Sequence, residues 1–245
     1  MNIVDKVIKK TYRGIDNFDM IKKGDHVMIA VSWGKDSLAM LEIITHLQKY
    51  SSLDFTITAV YIIPEIPGIT VLSEQIEEVF KKYGVNYIIQ KMNIPADSKL
   101  KQGIEEARTC QWCAYSRRIA LFKIAEEIKA DKIIYAHHLD DMVHTFFQNI
   151  YIGNHLKLML PVNKMRKWDF WIIRPFVYVR EEEIILFCKR KDINPLKASC
   201  PLNDITNRKL MKTVVDNIEK TLPGFAEKVL YSYIEKFPDE INFVK

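Results

Sequence analysis

Apolar, β-branched runs alternate with helix-periodic stretches along this chain, and that alternation limits its fold more than any other feature. Asp25–Val31 (DHVMIAV), Phe55–Ile63, Val85–Met92, Lys132–His138 and Phe170–Phe176 read as strands. Between them lie helical patterns. In Leu38–Tyr50 the apolar Leu38, Leu41, Ile44 and Leu47 recur at helical spacing. Val71–Tyr83 stops at Gly84, a residue suited to a helix C-terminus. Ala114–Lys129, Asp140–Ile152 and Arg180–Arg190 complete the alternation. Strands that are apolar on both faces, each followed by a helix, predict an α/β fold: a parallel sheet with helices on both sides. Residues 1–22 predict an N-terminal helix with a basic face (Lys6, Lys9, Lys10, Arg13). From Ile205 the pattern is helical only, broken at Pro223-Gly224. The expected organisation is one domain over 1–245, with the 1–22 helix at its start and a helical extension over 205–245.

In such sheets ligands bind beyond the carboxyl ends of the strands. The first such end carries VSWGKDSL (residues 31–38) and the fourth carries His137-His138-Leu139-Asp140-Asp141. A helix start offers unpaired N–H groups and the positive end of the dipole, which suit a phosphate. In the first loop Gly34 lets the backbone come close, Ser32 and Ser37 add hydroxyls, and Lys35 adds charge. Asp36 is not a phosphate ligand, so it reaches Mg²⁺ or caps the helix. A capped turn with no ligand has the same outline. Ser-x-Gly-x-Asp-Ser is not a Walker A loop; it resembles the SGGxDS loop of the PP-loop ATP pyrophosphatases, with Trp33 in place of the first glycine. The indole is expected to turn away onto apolar surface.

The four cysteines are Cys110, Cys113, Cys188 and Cys200. The charged residues near the start argue against a secretory leader, and no stretch is apolar for long enough to span a membrane. A disulfide framework is therefore not expected, and the CxxC reads as a metal or redox site in a reducing, cytoplasmic compartment. Cys110, Cys113 and the distant Cys200 make a three-thiolate set, one short of a structural zinc site. Three cysteines on a cubane iron–sulfur cluster leave one iron without a protein ligand. Cys188 sits among Ile184, Ile185 and Phe187 and reads as a buried small hydrophobe. The net charge of +5 permits a polyanionic partner without requiring one. Lys164, Arg166, Lys167 and Trp168, and Arg208, Lys209 and Lys212, are candidate RNA-backbone contacts, although exposed basic residues often form only a soluble face.

Six stretches in order resemble the tRNA 2-thiocytidine synthetase (TtcA) family of PP-loop tRNA thiolases: VSWGKDSLAML, CQWCAYSRR, AHHLDDMVHTFFQNIYIG, LKLMLPV, IRPFVYVREEEI and ASCPLNDITNRKLMKTVVDNIEKTLPG. They span roughly residues 27–224. The resemblance implies ATP and Mg²⁺ at Ser32, Gly34, Lys35, Asp36 and Ser37, and a 4Fe-4S cluster on Cys110, Cys113 and Cys200. It implies that Arg117, four after the second cysteine, and Asp141 lie near the reacting centre. It further implies a tRNA anticodon-loop cytidine (position 32) as substrate, a sulfur donor such as a cysteine desulfurase or free sulfide, no membrane partner, and a homodimer. Trp33, Ala136 and His144 depart from the family pattern. Two other readings fit the same motifs. One is a PP-loop ligase or amidotransferase-like enzyme with structural zinc, the other a non-catalytic nucleotide-binding cluster sensor. Asp140-Asp141 at a helix start also serves the helix dipole without any catalytic role.

Overall fold

The computed structural model describes residues 1–63, 73–92, 106–195 and 207–241; the side chains of 73, 106–112 and 207–209 fall outside that description. Among these residues six strands form one sheet in the order β3-β2-β1-β4-β6-β5. They are β1 His26–Val31, β2 Thr56–Ile63, β3 Asn86–Lys91, β4 Lys132–Ile134, β5 Val162–Lys164 and β6 Trp171–Ile173. All neighbours are parallel except β5, which runs antiparallel to β6. That edge hairpin is a correction to an all-parallel expectation. The strand signal in Val162–Lys164 is only three residues long, too short for alternation to register.

Alternate residues of β1 feed two different cores, as the two-residue period of a strand requires. Val27, Ile29 and Val31 face one core, and Met28 faces the other. The first is covered by α1 (Ile3–Asn17), α2 (Lys35–Tyr50), α5 (Leu139–Gly153) and α6 (Glu181–Arg190). The second is covered by α4 (Glu106–Glu127), through Leu121, Phe122, Ile124 and Ala125. Helix α3 spans Ser73–Tyr83, and α7 (Asn207–Thr221), α8 (Phe225–Lys236) and α9 (Pro238–Ile241) form the helical C-terminal part. The α/β class with helices on both faces is therefore the observed one.

Several boundaries differ from expectation for identifiable reasons. Helix α1 ends at Asn17, not 22, because Asp19 takes a positive φ of 47° and turns the chain. The sheet pairing of β4 stops at Ile134, so Tyr135–His138 run past the sheet edge into the site region. Strand β6 stops at Ile173 because Pro175 opens a 3-10 turn, Pro175–Tyr178, and proline has no N–H for a ladder. Helix α4 starts at Glu106, so the CxxC lies inside it rather than ahead of it. Among the described residues, no helix is long and apolar enough to cross a membrane.

Candidate nucleotide site and its charge networks

The loop after β1 is built around two serines. Ser32 N–H donates to Ser37 Oγ at 3.1 Å, the two hydroxyl oxygens lie 3.3 Å apart, and Ser37 Oγ donates to Gly34 carbonyl at 3.0 Å. Gly34 is the N-cap of α2 and makes no side-chain cap, so the first N–H groups of the helix stay available to an anion. The left-handed curl falls on Trp33, at φ 62°, whereas Gly34 is extended at φ −73° and ψ 156°. A Cβ at Gly34 would meet only Ser32 Oγ, at 3.5 Å. The empty chain does not itself require glycine there; close approach of a ligand does.

Trp33 does not cover the loop. Its ring is 2% exposed and packs edge-on to Tyr61 (5.7 Å) and tilted against Phe80 of α3 (5.4 Å). The indole thus anchors the loop to β2 and α3 from below. Its buried Nε1 has no hydrogen-bond partner, a cost the ring packing has to offset.

Lys35 Nζ lies 2.9 Å from Glu181 Oε1 and 3.2 Å from Asp36. Glu181 also accepts from Lys212 of α7. Burial alone would raise the Glu181 carboxyl, but these two ammonium groups outweigh it and hold it at about 2. Glu181 N–H in turn donates to Asp140 at 2.7 Å, and Arg180 Nε donates to the same carboxylate at 2.8 Å. Arg180 also bridges Glu219 and Glu227 at 3.1 and 3.0 Å. Burial disfavours the Asp140 charge, yet His138, the Glu181 N–H and Arg180 keep that carboxyl well below its ordinary range. Glu181, Arg180 and this linkage between α5, α6, α7 and α8 were not singled out by sequence reasoning, although they lie in the quoted REEEI. Lys212, a candidate RNA contact, is engaged with Glu181.

The two aspartates therefore differ. Asp140 is held in the Arg180 network, whereas Asp141 forms a reciprocal cap with His138: His138 N–H donates to Asp141 Oδ2 at 3.3 Å, and Asp141 N–H donates to His138 Nδ1 at 3.4 Å. The helix-start role of the pair is present alongside any other. Burial lowers the affinity of His138 for a proton, but Asp140, Asp141 and Asp36 together raise its pKa. Asp36 of α2 and Asp141 of α5 thus bear on the same imidazole. Asp36 Oδ1 is buried with no hydrogen bond, with Lys35 Nζ 3.2 Å away. A hard, oxygen-preferring cation suits such an atom.

Cys113 is buried in α4, and Arg117 Nη2 donates to its Sγ at 3.6 Å. Cys110 occupies the preceding turn of the same helix. Cys200 lies outside the described residues, so the three-cysteine set is not observed together. Among the described residues no group of three or more metal-ligating side chains occurs. Cys188 is the buried hydrophobe expected: its thiol donates to Lys35 carbonyl at 3.5 Å, and burial pushes it up to about 11.

The basic hairpin is elsewhere. Lys164 pairs with Trp171, and Trp171 with Lys132 at the start of β4, so the residues between β5 and β6 cluster at the amino edge of the sheet, opposite the serine loop. Trp168 packs on Phe122 and Phe170. Lys164, Arg166, Lys167 and Trp168 line a cleft of about 750 Å³ there. Sequence proximity to a motif was a poor guide to this position.

The fold and this loop define a PP-loop protein: the PP-loop domain model matches residues 4–214. Within that class the chain belongs to the tRNA-cytidine(32) 2-sulfurtransferase family. It is 34% identical to the member from Alcanivorax borkumensis, covering 96% of this chain and 82% of that one. Against the member from Marinomonas it is 32% identical, covering 100% and 88%. Among solved structures it is similar to the U34-tRNA thiolase NcsA from Methanococcus maripaludis with its 4Fe-4S cluster (TM-score 0.75, 24% identity, 98% and 82% of the two chains). The NH3-dependent NAD synthetase of Campylobacter jejuni shares the fold alone (TM-score 0.52, 14% identity, 96% and 94% covered).

Proposed function

We propose that the protein is an ATP-dependent tRNA thiolation enzyme that replaces the 2-oxygen of cytidine 32 in the anticodon loop with sulfur. The observation that carries the reading is the convergence of Ser32, Lys35 and Asp36 with His138 and Asp141 at one end of the sheet, in a chain of this family. ATP and Mg²⁺ are taken at Ser32, Gly34, Lys35, Asp36 and Ser37. The open space at Gly34 and the unbonded Asp36 Oδ1 support that assignment.

The 2-oxygen of a pyrimidine is a poor leaving group. Attack of that oxygen on the α-phosphorus of ATP releases pyrophosphate and turns it into a good one. A sulfide equivalent then adds at the same carbon and AMP departs, so C=O becomes C=S with no net redox change. The serine loop with Lys35 stabilises the departing pyrophosphate through donors and charge already in position. Arg117 and Asp141 are the residues assigned to the reacting centre.

Cys110, Cys113 and Cys200 would hold a 4Fe-4S cluster. The Arg117–Cys113 contact places a hydrogen-bond donor on one sulfur of that set. A cluster on three cysteines would leave one iron free of protein ligands, and the chemistry it would supply is presentation of the sulfur atom. Domain organisation as one unit over 1–245, a separate sulfur donor and a homodimer complete the reading. The test is anaerobic purification of Cys200→Ala. The expected protein lacks the cluster absorption of the wild type and does not thiolate tRNA. A Cys200→Ala protein that thiolates normally would overturn the cluster assignment.

A further inference from the structure

Charges at the carboxyl edge of the sheet are treated in two opposite ways. On the side of α5, α6 and α7, the cations Lys35, Lys212 and Arg180 each meet carboxylates, and Arg180 meets three. On the α4 side, Arg117, Arg118 and Arg174 have no carboxylate partner among the described residues. Arg117 donates to the Cys113 sulfur, and its buried Nε has no partner at all. Arg174 follows β6; its Nη1 donates to Leu160 carbonyl at 2.7 Å and its Nε to His137 Nδ1 at 3.4 Å. Tyr135, which follows β4, stacks on His137 at 5.6 Å, and its buried hydroxyl has no hydrogen-bond partner.

Tyr135 packs against the cluster that holds Leu121 and Phe122 of α4, and Arg118 stands one turn before them on the same helix; from there Arg118, like Arg174, acts on Tyr135, and Arg118 acts on Arg174. Burial, with Arg118 beside it, lowers Arg174 to about 10, so it stays charged at neutral pH. Burial pushes the Tyr135 hydroxyl up to about 12, so it remains a neutral donor. A group of cations and an unbonded hydroxyl, all donors, with no acid among them, is costly to assemble unless an anion joins it. Guanidinium forks match phosphate geometry.

We propose that Arg118, Arg174 and Tyr135 form an anion subsite for a backbone phosphodiester of the substrate RNA, next to the nucleotide being modified. This rests on the reading of the protein as a tRNA-modifying enzyme and assigns part of its RNA grip. The subsite differs from the serine loop. Arg174 follows β6, two strands away from β1, which at the ordinary strand spacing is about 10 Å. It also differs from the basic hairpin, which lies at the other edge. A phosphate held here would fix the backbone beside the splayed base, while the serine loop keeps the phosphates of ATP.

The experiment measures binding of an anticodon stem-loop RNA by fluorescence anisotropy across a KCl series, for wild type, Arg118→Gln, Arg118→Lys and Arg174→Gln. Arg118 is exposed, so Arg118→Gln tests the subsite without disturbing a core. The expected result is weaker binding by Arg118→Gln, about 5- to 20-fold at moderate salt, with the slope of log affinity against log salt shallower by about 0.7–0.9, the loss of one phosphate contact. Arg118→Lys should keep the slope, because it keeps the charge. Arg174→Gln should repeat the loss wherever thermal melting shows it folded. Wild type that binds while both glutamine variants match it in affinity and slope would overturn the subsite alone. Wild type that does not bind the RNA would remove both the subsite and the function it rests on.

Discussion

Trp33 separates two roles that one loop residue can have. It holds a positive φ of 62°, where a residue with a Cβ is strained by about 1–2 kcal/mol. Its ring fills the space against Tyr61 and Phe80. Trp33→Gly relieves the first and loses the second, and emptying a buried aromatic costs about 3–5 kcal/mol. The variant should therefore lose net stability, by about 1–4 kcal/mol, in a urea titration. The folded variant should bind ATP as tightly as wild type or more so by calorimetry, and a large loss of affinity would show that the indole itself contacts the nucleotide. Gly34→Ala is the converse. The added methyl has room and an ordinary φ, so stability should change by less than about 1 kcal/mol. ATP affinity should nevertheless fall at least tenfold, because the methyl stands where phosphate oxygens approach. Unchanged affinity would remove the argument from the empty space. The serines, Gly34 and Lys35 were legible as a loop because their residue types and order encode the chemistry. That the curl sits at Trp33 was not, since a tryptophan gives no local signal for positive φ.

Helix α6 carries charges whose partners are distant in sequence. Glu183 is 4% exposed and accepts from Lys10 at 2.7 Å, with Lys6 at 2.9 Å, both in α1. It also accepts from its own N-cap, Arg180 N–H, at 2.9 Å. Burial works against the charge, but the Arg180 N–H, Lys10 and Lys6 win, and its pKa is lowered. A lowered carboxylate adds stability that is fully present above the unfolded value near 4.5 and is lost as pH falls through the folded value. Glu181, held at about 2, behaves the same way. Glu183→Gln should cost about 1–2 kcal/mol at pH 7. In urea titrations its deficit against wild type should shrink at pH 3; a deficit that is constant with pH would show that the ammonium contacts contribute nothing. Helix periodicity made α6 itself legible, and its N-terminus differed by one residue. Its partners were not, because the Glu183–Lys10 pair spans 173 positions and sequence offers no rule for pairing charges across such a gap. The same limit applies to the Lys164–Trp168 group, whose place at the far edge is set by the hairpin register.

At the scale of the whole molecule, the proposed reading gives ATP chemistry to the loop after β1, the reacting centre to the start of α5, and the RNA backbone to the cations of α4 and the segment after β6. The alternation of apolar runs and helices made the first two of these places legible, since it puts the carboxyl ends of parallel strands at one edge of the sheet; the third depends on the order of the strands, which the structure supplies. The three-cysteine set is the part that geometry adds least to, because Cys200 falls outside the described residues; the Arg117 Nη2–Cys113 Sγ contact at 3.6 Å is what the structure shows of it. All of these assignments serve one conclusion, thiolation of an anticodon-loop cytidine. Nucleoside mass spectrometry of bulk tRNA, from the parent strain and from a strain lacking this gene, tests it most directly. The account predicts that 2-thiocytidine is present in the parent, absent in the deletion, and restored by the wild-type gene but not by one encoding Asp141→Asn. An unchanged 2-thiocytidine level in the deletion strain would contradict it.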